Sequence, residues 1–202
     1  IPLGNDSIAI AIGDVADKGV PAALFMAMVR SFPRAEVRPG ISPKKVLQRV
    51  NRHIVDLNDK DVFVTVLLGL LDGTKRKFSY TRAGHEMPVV IDNKGSAKRL
   101  SKGKGQALGI FDSVELDIRT IDLPNEHMML LYTDGITDAI NQQNKMFGLE
   151  GIMRTISGVI KPSASQLCKQ LIKDVTRHQN NILQFDDMTV VAVRSMAALQ
   201  CP

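Results

Sequence analysis

From residue 7 to residue 12 apolar positions alternate along the chain, with Ile8, Ile10 and Ile12 on one face and Ser7, Ala9 and Ala11 on the other. This period of two predicts a strand that ends at Gly13-Asp14. Gly19 and Pro21 then mark a helix start, because proline is tolerated in a first helical turn, and residues 22–29 predict a helix buried almost all round. Beyond residues 33–39, Ser42 can cap and Pro43 can open a second helix, with Val46, Leu47, Val50, Ile54 and Leu57 on one stripe. Residues 62–71 form a near-continuous apolar run, the pattern of a central strand. Asp72-Gly73 turns it into a partner strand in which Phe78 and Tyr80 alternate with polar residues. A shorter hairpin is predicted from residue 89 to Leu100 around the turn at 92–95.

Residues 101–113, rich in Gly, Lys and Ser, predict a loop, residues 114–123 a further strand and residues 128–132 a buried one. Two amphipathic helices follow, one carrying Leu149, Ile152, Met153 and Ile156, the other Ala164, Leu167, Cys168, Leu171, Ile172 and Val175. Residues 188–193 predict a last strand. Many strands joined by hairpins, with helices grouped in pairs, imply an antiparallel α+β layered fold.

Composition narrows the class. At 202 residues and 44% hydrophobic content the chain fits one domain, 1–202, with a substantial core. The net charge of +5 is spread along the chain apart from a short KRK at 75–77 and Lys98, Arg99, Lys102 and Lys104; with seven Phe, two Tyr and no Trp, no stacking platform for bases stands out. A solvated basic face, with no nucleic-acid partner, is the expectation. Cys168 and Cys201 read as reduced core and tail, which suits the cytoplasm. No apolar run reaches the ~20 residues of a membrane span, and no signal peptide is visible. Because the chain opens at Ile1 without Met, it reads as part of something longer.

Candidate chemistry lies in the acidic residues. Asp14 follows one predicted strand, Asp134 follows another, and Asp186 and Asp187 precede a third. In an antiparallel sheet the end of one strand lies beside the start of its neighbour, so the three sites can share an edge. Clustered carboxylates without His or Cys call for a hard cation such as Mg²⁺ or Mn²⁺; three unrelated Asp-bearing turns are the plainer alternative. Other chemistries fit poorly. Neither cysteine is followed by the arginine of a thiolate phosphatase loop. Gly103, Gly105 and Gly109 match a nucleotide fingerprint only loosely, and Pro88 forbids a zinc-protease helix at His85. His53, His127 and His178 read as surface or satisfied histidines.

Several ordered stretches nevertheless resemble a known family: GDVADKGVPAALFMAM (13–28), AGHEMP (83–88), LYTDGITDA (131–139), FG (147–148) and DDMTVVAVR (186–194). Together they look like the bacterial SpoIIE/RsbU type of PPM serine/threonine phosphatases, relatives of protein phosphatase 2C, and they cover nearly the whole chain. The resemblance implies a sandwich of two antiparallel sheets flanked by helices, with two divalent cations, Mn²⁺ or Mg²⁺, at one edge. It makes Asp14 the bridging ligand, adds the Val15 carbonyl, Asp134 and Asp186, puts Asp187 close by, and gives His85 a positioning role at most. Asp14, Asp134 and Asp186 then carry catalysis through a metal-activated water that hydrolyses phosphoserine or phosphothreonine.

The resemblance also implies partners: a phosphorylated signalling protein, in this family often an anti-anti-sigma factor with a STAS domain, and an upstream sensor or receiver domain. It leaves a homodimer open. One departure stands against it. The family's GGDFYD-like strand, whose Asp joins the metal site, would lie upstream of Ile1, so a catalytically weak or inactive partner-binding module of the same fold is the alternative.

Overall fold

The computed structural model describes residues 1–57, 62–180 and 182–196; Cys201 lies outside them. Its elements are β1 (Pro2–Gly4), β2 (Ser7–Val15), α1 (Val20–Glu36), α2 (Pro43–Leu57), β3 (Val64–Asp72), β4 (Lys77–Ala83), β5 (Val89–Ile91), β6 (Ala97–Arg99), β7 (Arg119–Asp122), β8 (Met128–Tyr132), α3 (Asp134–Thr137), α4 (Gly148–Ser157), α5 (Ala164–Gln179) and β9 (Val190–Arg194). They form two antiparallel sheets with flanking helices, ordered β1-β2-β3-β4-β7 and β6-β5-β8-β9. The chain divides accordingly into two compact units, Ile1–His85 with Lys102–Asp122, and Glu86–Ser101 with Leu123–Pro202.

In the first unit β3 is the central strand that its apolar run predicts. Leu67 and Leu68 are successive and both fully buried, so both faces of the strand are covered. Val64, Val66 and Leu68 share one face at the strand period. They pack with Val46, Leu47, Val50 and Ile54, which share the buried face of α2 at the helical period. Asp72 closes the β3–β4 hairpin by accepting the Lys75 N–H at 2.8 Å.

Five details depart from the periodicity. β2 does not end at Gly13-Asp14; its ladder with β3 runs from Ser7↔Asp72 to Val15↔Val64, so Asp14 lies within the strand. Ala9 and Val15 join the core packed by the helices, whereas Ile8 is exposed. α1 runs through Pro33 to Glu36, because Pro33 is buried and its carbonyl still accepts the Val37 N–H. That helix is not buried all round: only Ala22, Val29 and Pro33 are, and Val20 and Leu24 face solvent. Finally β7 is confined to Arg119–Asp122. Its expected beginning is diverted onto the preceding loop, with Glu115 O accepting from Gln106 N at 3.3 Å and Asp117 N donating to Lys104 O at 3.4 Å.

The second unit follows its pattern more closely. All five residues of β8 are buried, between β5 and β9 in the sheet order. Ile152 and Ile156 of α4 and Leu167, Leu171 and Val175 of α5 pack with Val89, Leu130 and Tyr132. α5 begins at a reciprocal cap, Gln166 N to Ser163 Oγ at 3.2 Å and Ser163 N to Gln166 Oε1 at 2.8 Å. β1 and α3, three and four residues long, were not foreseen; they are too short to show a period.

Replacing the fully buried Ile54 by Ala removes the centre of the α2 contact and should lower unfolding free energy by about 2–5 kcal/mol in a urea titration.

Candidate metal centre

Asp14 comes from β2, near the end of its ladder with β3. Gly13 pairs with Val66, and a Cβ on Gly13 would stand 2.8 Å from the Thr65 carbonyl oxygen, closer than real contacts allow. A glycine therefore precedes the acid because β3 leaves no room for a side chain. Asp14 itself pairs with Thr65. Thr65 Oγ1 lies 3.0 Å from Nδ1 of the buried His85, and Arg82 donates to the His85 carbonyl at 2.9 Å. His85 is thus tied, through Thr65, to the strand position opposite Asp14. The Val15 carbonyl accepts the Asp17 N–H at 2.8 Å, a three-residue turn that engages one of the oxygen's two lone pairs.

The second unit presents Asp134, Asp186 and Asp187. β8 delivers Thr133 as the residue before α3, and Asp134 opens that helix. Thr133 is buried and bonded in three directions. Its N–H donates to Thr189 O at 3.1 Å, its hydroxyl donates to Asp187 O at 2.9 Å, and the same hydroxyl accepts from Thr189 N at 3.0 Å. Thr133 therefore extends the β8–β9 pairing beyond Tyr132↔Val190 and pins the acidic turn. Gly135 is needed there, because a Cβ would stand 2.3 Å from the Asp187 carbonyl oxygen.

The turn separates two neighbouring acids. Asp186 is half-buried and its Oδ1 accepts the Asp187 N–H at 2.9 Å; Asp187 is exposed, and its backbone carbonyl is what Thr133 holds. Asp134 Oδ1 is buried and has no hydrogen-bond partner among the described residues. A desolvated carboxylate oxygen without a donor is costly, and a hard cation is the partner that such an oxygen suits.

Asp138, in the same LYTDGITDA stretch, was not singled out by the sequence. Its carboxyl is pushed above the ordinary range, chiefly by loss of solvent, with the charges of Asp134, Glu86 and Asp186 adding and the Thr137 hydroxyl opposing. Tyr132 is pushed up to about 12 by burial, with Glu86 adding and Arg99 opposing. Thr133 and Gly135 stood in the same stretch without a role, since their task is to hold backbone and no period or charge marks it. The remaining histidines are satisfied at the surface: His53 by Glu36, His127 by the Asn125 carbonyl and His178 by the Lys145 carbonyl.

Thr133→Val deletes both hydroxyl bonds while keeping the side-chain shape. Leaving the Asp187 carbonyl and Thr189 N–H without this partner should cost about 1–3 kcal/mol in chemical denaturation.

Comparison with known proteins places the chain in a family. The family model for Stage II sporulation protein E (SpoIIE) matches residues 4–195. The chain is 31% identical over 218 residues to Protein IcfG of Synechocystis sp., covering 95% of this chain and 34% of that protein. It is 30% identical over 192 residues to phosphoserine phosphatase RsbU of Bacillus subtilis, covering 94% of this chain and 56% of that one. It therefore spans between a third and somewhat over half of these relatives. The PP2C phosphatase domain of SpoIIE from Bacillus subtilis shares the fold at a TM-score of 0.81 with 20% identity, covering 96% of this chain and 56% of that chain. On the match across residues 4–195, the chain belongs to the SpoIIE family.

Proposed function

We propose that this protein is a metal-dependent phosphatase that hydrolyses phosphoserine or phosphothreonine on a signalling protein. The observation that carries this reading is the buried Asp134 Oδ1, without a hydrogen-bond partner among the described residues and next to the Thr133 that holds the Asp186–Asp187 turn, within a chain of the SpoIIE family. The relative RsbU, a phosphoserine phosphatase, supports the substrate class. In this reading Asp14, Asp134 and Asp186 are the carboxylate ligands that the family resemblance implies for a divalent-cation centre, with the Val15 carbonyl as a further oxygen donor and Asp187 close by. An all-oxygen set of this kind favours Mg²⁺ or Mn²⁺ over zinc, and the centre would take two such ions. Bound there, the cations would supply an activated water and neutralise phosphoryl charge.

The chain's own residues hold and orient. The aspartates are acceptors only, so they bind cations and cannot donate to a phosphoryl oxygen. Thr133 fixes the turn that carries Asp186, and Thr65 fixes His85 beside the Asp14 strand. Among the described residues covalent thiol chemistry has no support, since burial pushes the Cys168 thiol up, away from the reactive thiolate. A phosphorylated STAS-domain protein is the partner class we favour, with the domain serving as the output of a sensor. No helix among the described residues is long and apolar enough to cross a membrane.

Asp14→Ala and Asp134→Asn should each lower Mn²⁺-dependent hydrolysis of a phosphoserine peptide by about a hundredfold or more, and a chelator should do the same to the unmodified protein. Mn²⁺ titration calorimetry should show weakened binding in both variants. Wild-type turnover in the Asp14→Ala variant would defeat the assignment.

A further inference from the structure

α2 carries a polar residue in the middle of its buried stripe. Asn51, 1% exposed, sits one turn beyond Leu47 and beside Val50 and Ile54, where the helical period calls for an aliphatic side chain. Its amide is spent on the loop that follows Leu108. Oδ1 accepts the Gly109 N–H at 2.9 Å, and Nδ2 donates to the carbonyls of Phe111 at 2.8 Å and Asp112 at 3.3 Å. The start of the loop is fixed as well: Leu108, fully buried, exchanges two backbone bonds with Val64, each 2.9 Å. Between these anchors Ile110 and Phe111 are 52% and 50% exposed. A braced backbone thus holds two neighbouring large apolar side chains out in solvent.

Sheet register gives their place. Val64 pairs with Val15 of β2 on one side and bridges Leu108 on the other. Neighbouring strands lie about 4.8 Å apart, so Leu108 is about 10 Å from Val15, the residue after Asp14. A protein docked over a standard patch of about 800 Å² covers a disc of about 16 Å radius. Ile110 and Phe111 follow Leu108 by two and three residues and so lie within about 20 Å of Val15, and a patch about 32 Å across can include both them and Asp14.

We propose that Ile110 and Phe111, braced by Asn51, form a preformed apolar anchor for the phosphorylated protein substrate of this domain. The inference rests on the phosphatase reading above. The anchor takes a folded phosphoprotein that presents its own apolar surface beside the phosphorylated side chain. A loop already held in place loses little freedom on binding, and large apolar side chains near a patch centre carry a disproportionate share of affinity. Lys102, exposed at the start of the same loop, adds charge that suits a phosphorylated partner. A small aryl phosphate needs none of these contacts, so the anchor sets selection for protein over small phosphoesters.

The test compares the unmodified protein with an Ile110→Ser/Phe111→Ser variant, in Mn²⁺, on p-nitrophenyl phosphate and on a serine-phosphorylated STAS-domain protein. The variant should keep kcat/KM on the aryl phosphate within about twofold, while KM for the phosphoprotein rises about tenfold or more. An unchanged phosphoprotein KM overturns the anchor and leaves the phosphatase reading standing. If the unmodified protein hydrolyses neither substrate, the phosphatase reading fails; calorimetric binding of the phosphoprotein then decides the anchor, and equal affinity or no binding overturns it. Asn51→Ala keeps both apolar side chains but releases the loop; it should raise the phosphoprotein KM severalfold without altering aryl phosphate kinetics, and an unchanged KM removes the bracing role.

Discussion

A buried carboxylate oxygen with no donor is the constraint on which the second unit turns. Asp134 opens a short helix directly behind a strand whose residues are all buried, and its Oδ1 has no protein partner among the described residues. Such an arrangement costs stability in the protein alone, and it persists only because the surroundings over-determine it. Thr133 supplies much of that determination. By donating to Asp187 and accepting from Thr189, it makes the acidic turn a continuation of the sheet, so that Asp186 is carried on an ordered backbone.

The same economy explains letters in the motifs that have no chemistry of their own. Gly13 and Gly135 each precede or follow an acid, and each is small because a carbonyl of the neighbouring segment occupies the space a Cβ would need. Close backbone approach is what brings the acid of one segment beside the next, so the glycines belong to the site sterically and the aspartates electrostatically. Asn51 plays a comparable part away from the acids. It gives up an aliphatic place in the core to satisfy three backbone groups of a loop 58 to 61 residues later.

Much of the architecture was legible from periodicity. β3 and β8 read as central strands because burial on both faces removes the need for alternation, and α4 and α5 read as amphipathic because one face of each meets a sheet. The failures share a cause. α1 is rich in apolar and small residues all round, yet Val20 and Leu24 are exposed, because composition records how much can be buried and not which side has a neighbour. The stretch before β7 alternates like a strand, but its backbone bonds go to a loop that no local pattern reveals. α1 was expected over residues 22–29 and instead runs on to Glu36, with Pro33 buried within it.

The order of strands and helices, the hairpins and, through several motifs in order, the family could all be read along the chain. These follow from local period and from spacing along the chain. Long-range packing, by contrast, places Asp14 inside β2, lets Thr133 grip the acidic turn, leaves a buried Asp134 oxygen without a partner among the described residues, and has Asn51 brace an exposed apolar pair. Each depends on a partner distant in sequence, and hydrogen bonding and desolvation are properties of the pair that no single stretch carries.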